Sequence, residues 1–529
     1  MIRNEDQRIL WEFFKRIAEF LNDNNFKYYL SSGTAIGAIR HKGFIPWDDD
    51  IDLMMDRENY DRLISMADKL PWDDIELVSS EISDNYFRPF AQFSAKKDTN
   101  FLKSGMFNMG ECMGTLVDVF CVDKINSSRL DEYERDVLLY QETLADAFVY
   151  KYDVVQCADE CLKLRQECRE KGKRPVIQRL KAKLESYADD DCDEYVVRFF
   201  FTHHLNHFAI EGLEGERLVE FEGVKFPIPT NQEEFLRWHY GYDWYILPNV
   251  QGQESHDFYK DADISSRNYF EDMSNFIDWD EAKENLAHRK DITLERLKYK
   301  SKVDTYNKKL AAAKTIMRSN IEQNAVKIDE LFARREYAEV VDITMPLTNG
   351  FKSLLPENVG NNGLTLQTVG KWIYSLTVKG EYYKGHKILS RIVPDWESRS
   401  NEDENLDFFG KVLSLVEYYQ DHKVEELHNY VSELPVDKWS DIPDYLTALA
   451  YLSKEGRNLI ADDKLLDLCE NYLKTYPENW EVLKIKADLT AESNKDEAMS
   501  IYRKIYDNTS NGLLILELKD KFNFDDKFN

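Results

Sequence analysis

The sequence predicts an α+β core followed by an all-α helical solenoid. Two observations carry that expectation. Up to Asp123, short alternating or apolar runs that read as strands are interleaved with amphipathic stretches that read as helices. Beyond about residue 328 only helical periodicity remains, broken by turn signals 34 to 44 residues apart. Helix-pair solenoids have repeats of that length. The 529 residues leave room for about three domains. The expected division is a core over 1–265 with a helical insertion at about 131–208, a helical connector over 266–327, and the solenoid over 328–529.

Residues 8–21 place Leu10, Phe13, Phe14, Ile17, Phe20 and Leu21 at helical spacing. Lys27–Ser32 reads as a strand. Gly33-Thr34 opens a short helix to Arg40, and His41–Asp49 is a loop with Gly43 and Pro46 as breakers. Asp50–Met55 reads as a second strand and Arg57–Leu70 as an amphipathic helix. Phe87–Ala95 and Gly114–Asp123 read as further strands, the latter with an apolar run from Leu116 to Val122 interrupted by Asp118. Asp131–Phe208 turns helical and highly charged. Glu220–Pro229 reads as a hairpin, and the aromatic run Trp238–Tyr245 follows it. In the C-terminal region the turn signals are Arg335–Tyr337, Lys379–Tyr382, Gln420–His422, Lys454–Gly456 and Ser493–Lys495. Tyr476-Pro477-Glu478-Asn479-Trp480, with Ala487 and Ala498 beyond, resembles a tetratricopeptide unit. Such arrays bind a protein partner or drive self-association.

The formal net charge of −29 argues against a general nucleic-acid binder, which needs a basic footprint. Seven cysteines, few and odd in number, favour reduced thiols and a cytoplasmic site over a disulfide framework. The first residues hold no apolar signal core, and no window reaches 18 uncharged apolar residues. No transmembrane segment is therefore expected. A peripheral place at the inner face of the membrane is compatible with that reading.

Asp48, Asp49, Asp50 and Asp52 fall within five residues and lead straight into an apolar run. In a strand, Asp50 and Asp52 share one face while Ile51 and Leu53 point into a core. Two carboxylates at about 4 Å repel by roughly 4 kcal/mol at an effective dielectric near 20. A divalent cation or a shared proton offsets such a pair. Hard oxygen ligands suit Mg²⁺ or Mn²⁺ shared with substrate phosphates. In so acidic a chain, a phosphate-bearing substrate also needs a local basic patch. Arg40, His41, Lys42, Lys96 and Lys97 are the candidates, with His256 a further contact.

Gly33-Thr34, fifteen residues, then Asp50-Ile51-Asp52-Leu53 resembles the nucleotidyltransferase superfamily signature. There a small turn lets the backbone approach a phosphate, and the following helix start binds its oxygens. The whole stretch from Ser32 to Asp52 resembles the LicD family, which also covers the fukutin-related enzymes. Phe221-Glu222-Gly223-Val224-Lys225-Phe226-Pro227-Ile228-Pro229, Tyr240-Gly241-Tyr242-Asp243-Trp244 and Leu247-Pro248 match its later signature. The resemblance covers about residues 10–260. It implies a nucleotidyltransferase-like core that moves a phospho-alcohol, such as phosphocholine from CDP-choline, to a glycan hydroxyl. It further implies that Asp50 and Asp52 are the metal acids and Asp118 the third carboxylate, as metal ligand or general base. The helical region lies outside the family core, so the resemblance says nothing of its role.

Plainer readings stand beside these. Asp48-x-Asp50-x-Asp52 opens like a calcium loop, but Leu53 and Asn59 occupy the positions that need Gly and Glu. Asp48 and Asp49 are either outer ligands or a solvated loop edge. Asp118 could instead be a strand-end acid bonded to backbone amides, and Asp123 reads as a turn residue. Arg40, His41 and Lys42 could be ordinary surface after a helix, and His256 an exposed loop histidine. Trp238, Tyr240, Tyr242, Trp244 and Tyr245 read either as a cage for a quaternary ammonium group or as a packed aromatic core under the site. Cys157, Cys161, Cys168 and Cys192 match no compact zinc spacing and read as buried small hydrophobes. The functional expectation is a metal-dependent transferase acting on a cell-surface polysaccharide or its lipid-linked precursor. The alternatives are transfer of a nucleoside monophosphate to a small molecule or protein, and a non-catalytic interaction protein.

Overall fold

The computed structural model describes residues 2–83, 86, 88–102, 114–145, 154–189, 191–197, 206–213, 215–249, 253, 258–261, 275–300, 304–348, 363–392 and 396–525. The chain divides into two compact units. One comprises Met1–His239 and Pro248–Val303, the other Tyr240–Leu247 and Asp304–Asn529.

The first unit is α+β. Its opening helix, α1 (Glu5–Asp23), is capped by Asn4, whose side chain accepts from the Gln7 N–H at 2.8 Å. Leu10, Phe14, Ile17 and Leu21 recur at helical spacing and are buried. The chain then forms β1 (Tyr29–Leu30), α2 (Ser32–His41), β2 (Asp52–Asp56) and α3 (Arg57–Ile64). Next come β3 (Ile75–Val78), β4 (Ala91–Ala95), β5 (Thr99–Leu102) and β6 (Leu116–Ile125). The helices α4 (Leu130–Leu144), α5 (Val154–Lys171) and α6 (Lys173–Glu185) follow, then β7 (Glu194–Val197) and β8 (Asn206–Ala209). The hairpin β9 (Arg217–Phe221) and β10 (Val224–Ile228) precedes α7 (Gln232–Tyr240), and β11 (Phe258–Asp261) pairs with β5.

The main sheet is mixed, in the order β1-β2-β6-β4-β3. Its centre is β6, parallel to β2 on one side. On the other side β6 meets β4 along its first half and β7 along its second, both antiparallel. Leu53, Met54, Phe93, Val117 and Val119 are fully buried there.

Several expectations need correction. The stretch 131–208 is not all helix: β7 and β8 lie in it and extend the sheet beyond β6. The first strand is two residues long, because the chain enters α2 already at Ser32. α3 stops at Ile64, and β4 begins at Ala91 rather than Phe87. Asp123 is a strand residue, bound by Arg57 at 2.7 and 2.9 Å, not a turn. The connector is two different things. Trp279–Lys300 is a helix of the first unit, tied to α5 by Arg165 and Arg169 on Asp291, whereas Asp304–Ala333 belongs to the second unit.

The second unit is helical among its described residues apart from Tyr240–Leu247. The five turn signals from Arg335 to Lys495 all fall at junctions between helices. Asn479, Asn494 and Asn511 cap the helices that follow them. Val369, Trp372, Phe409, Leu446 and Val482 sit in one continuous apolar core. No described helix in either unit is long and apolar enough to cross a membrane.

Candidate active site

The parallel pairing of β2 with β6 sets Asp52 opposite Asp118. Side chains alternate along each strand, so this register puts both carboxylates on one face of the sheet. Asp52 is 7% exposed and Asp118 9%. Backbone bonds lock the pairing: the Asp118 N–H donates to Ile51 O at 2.8 Å, and Ser31 N–H to Asp52 O at 3.0 Å. Burial, then the charges of Asp50, Asp118 and Asp48 in turn, push the Asp52 carboxyl well above the usual carboxylate range. The Gly33 N–H, at the start of α2, pulls the other way.

The loop from Lys42 to Ile51 presents these acids, and three contacts shape it. Gln7 of α1 is buried and its Nε2 donates to Asp48 O at 2.8 Å and Ile45 O at 3.2 Å. Glu222, in the turn between β9 and β10, accepts from Phe44 N–H at 3.1 Å and donates its own N–H to Lys42 O at 3.0 Å. Phe221 beside it packs on Phe44 with ring centroids 5.0 Å apart. Gly37 lets the loop cross α2: a Cβ there would stand 2.5 Å from Gly43 O. Asp48 folds back over Gly33, where a Cβ would stand 3.0 Å from its Oδ2. The later signature segment Phe221-Glu222-Gly223 thus acts as a brace for the first.

The other candidate residues are placed variously. Thr34 is buried, and its hydroxyl accepts from the Asp52 N–H at 2.9 Å, so it positions an acid. Arg40 is buried seven residues beyond Gly33, about 10 Å along the helix, and its Nε donates to His41 Nε2 at 3.0 Å. Lys42 takes a left-handed conformation that ends α2. Lys96 and Lys97 follow β4 and are exposed; the Lys96 N–H binds Asp74 O, and the Lys97 ammonium lies 4.0 Å from the Asp74 carboxylate. His256 lies outside the described residues. Within the aromatic run Tyr242, Trp244 and Tyr245 are buried and belong to the second unit, and Trp238 is half exposed against His207. The described cysteines are free thiols, with Cys157 and Cys161 buried 3.8 Å apart.

Sequence reasoning missed Gln92. It pairs with Asp118 across β4 and β6 and is fully buried. Its Nε2 donates to Asp118 Oδ1, and its Oε1 has no hydrogen-bond partner among the described residues. A signal existed: Gln92 and Ser94 alternate with Ala91, Phe93 and Ala95. Gln7 was equally legible as a polar residue in line with Leu10, Trp11 and Phe14.

Among the described residues no three His, Cys, Asp or Glu side chains already converge as a finished metal site. The donor chemistry nevertheless fits a hard cation. Burial and three neighbouring acids raise the pKa of the Asp52 carboxyl, and the Gln92 carbonyl is open beside Asp118.

Residues 25–73 match the family model described as LicD/FKTN/FKRP, nucleotidyltransferase domain. Over these residues the chain is similar to the LicD family. A 39-residue stretch is 64% identical to the lipopolysaccharide cholinephosphotransferase LicD of Haemophilus influenzae, covering 7% of this chain and 15% of that protein. Stretches of 44 residues are 50% identical to uncharacterised proteins of Rickettsia prowazekii and Rickettsia typhi, covering 8% of this chain and 16% and 14% of theirs. The chain therefore matches about one-seventh of the length of these curated relatives. No solved structure matches it. The LicD segment includes Gly33, Asp48, Asp50 and Asp52 but not Gln92, Asp118 or Glu222. The fold brings those three to it from later in the chain.

Proposed function

We propose that the first unit is a metal-dependent phosphotransferase with a nucleotidyltransferase-type core. It moves phosphocholine, or a related phospho-alcohol, from a CDP-linked donor to a hydroxyl of a cell-surface glycan or its lipid-linked precursor. The pairing of Asp52 with Asp118 across parallel strands, beside Asp50 and Asp48, carries this reading. The LicD segment supports the class of donor.

Asp50 and Asp52 would hold Mg²⁺ or Mn²⁺, which when bound neutralises the diphosphate and the charge that develops on the departing oxygen. The Gly33 N–H at the start of α2 bonds the Asp52 carboxyl, and the positive end of that helix would favour a phosphate beside it. Asp118, fixed by Gln92, takes the proton of the attacking hydroxyl. The new bond joins that oxygen to the donor's alcohol-bearing phosphorus. The bond from this phosphorus to the bridging oxygen breaks, and CMP leaves with that oxygen. Thr34, Gln7 and Glu222 do none of this chemistry; they hold the acids where it happens.

Incubation with a panel of CDP-alcohols, a divalent cation and a glycan acceptor tests the proposal. CMP release that depends on both metal and acceptor is the expected result. Release of pyrophosphate from a nucleoside triphosphate instead would favour nucleotidyl transfer. Gln92→Leu is expected to weaken metal affinity or turnover by about 10- to 100-fold, the usual cost of losing an outer support. Titration calorimetry with Mn²⁺ measures it, and unchanged affinity and turnover would remove Gln92 from the site.

A further inference from the structure

The segment Tyr240–Leu247 is set among C-terminal helices as a peptide is set in a receptor. Beyond Tyr240, where α7 ends, it is not helical: Gly241 has φ +92°, and the turn that follows is closed by bonds from Trp244 N–H to Gly241 O and from Ile246 N–H to Asp243 O. Its side chains are taken up one by one. The Tyr242 hydroxyl donates to Glu417, and its ring lies 4.5 Å from His386 and edge-on to Tyr382 at 6.1 Å. The Tyr245 and Tyr382 hydroxyls are 2.8 Å apart. Tyr242, Trp244, Tyr245 and Leu247 are all buried. The backbone is gripped as well: Leu247 N–H donates to Ser510 O at 2.7 Å, and Gly512 N–H to Tyr245 O at 2.8 Å. Ile246 and Asn511 form an antiparallel bridge between them.

That combination of short β-pairing with deep aromatic anchors is how proteins capture extended peptides. We propose that the C-terminal helical array is a peptide-recognition unit whose occupant is this chain's own Tyr-Gly-Tyr-Asp-Trp-Tyr segment. The occupant completes the array: Tyr242 is part of its apolar core. The helices Tyr382–Ile392, Glu404–Gln420 and Gly512–Phe522 supply the walls, the last beginning at the residue that bonds Tyr245. This assignment does not depend on the transferase reading. It gives the helices an intramolecular role where the repeat pattern alone suggested a protein partner or self-association.

Amide exchange on the full-length chain tests it. In the variant Tyr242→Ala/Tyr245→Ala, those three helices should exchange at least about tenfold faster, while β2 and β6 keep their protection. Adding a synthetic peptide of residues 238–249 should restore protection, and the same peptide with both tyrosines replaced by alanine should not. Tyr245→Phe, which keeps the ring and loses one hydroxyl bond, covers the case in which the double variant does not fold; it should speed exchange in Tyr382–Ile392. Unchanged exchange in every variant, or lost protection that the native peptide fails to restore, overturns the proposal.

Discussion

Asp52→Asn should abolish most transfer and yet make the metal-free protein harder to melt. The loss should be about a thousandfold, on the scale of removing one preorganised electrostatic group from a reaction centre. The gain follows from the raised carboxyl. Burial and three neighbouring acids hold the Asp52 proton on in the folded state at pH values where an unfolded carboxyl has lost it. The folded chain thus binds more protons, and stability falls as pH rises from about 4 toward the elevated folded value. An asparagine has no such slope. Without divalent cation, the variant should therefore gain melting temperature over wild type as the pH is raised through that window. With Mn²⁺ the order should narrow or reverse, because ligand binding stabilises only the chain that binds it. Scanning calorimetry across pH with and without metal, beside a CMP assay, reads all of this. Normal turnover in the variant, or the same pH slope in both proteins, would end the assignment of Asp52.

Lys290→Ala should cost about 3–5 kcal/mol, the usual penalty for stranding one member of a buried ion pair. Lys290 and Glu142 have side chains 0% and 1% exposed and approach to 2.8 Å. The ammonium also donates to Glu142 O and Ala145 O at 2.6 Å each, satisfying carbonyls at the end of α4. Burial draws the lysine below its ordinary pKa, and Glu142 pushes back. Alanine would take the buried ammonium away from the Glu142 carboxylate and from both carbonyls. Lys290→Met with Glu142→Leu should recover only part of the loss, since the bonds to the carbonyls stay lost. Denaturant melts followed by exchange in α4 would show it. A change under about 1 kcal/mol, which is the range of surface pairs, would show that the pair is dispensable.

The sequence made the acids legible because their spacing is local. The acids and the apolar run stand together in sequence, and Asp118 stands out in its apolar strand, but β2 begins at Asp52, so Asp50 lies in the loop before it and strand alternation does not place it. The α+β order and the helical C-terminal half were legible for the same reason. What escaped depends on pairing. Gln92 matters only because β4 lies beside β6 at that register. Nothing around Lys97 in the sequence announces Asp74 as its neighbour. β7 and β8 hid in a charged stretch because four-residue strands generate little periodicity. Nothing near Tyr245 announces a bond to Gly512, across more than half the chain.

One amide near the amino end has an influence out of proportion to its size. Gln7 hangs the aspartate loop from the first helix through two carbonyls. A fusion or trimming that frays the opening turn would let that loop sag while leaving every aspartate intact. Poor turnover in such a preparation would look like a dead enzyme when it is only an unmoored one.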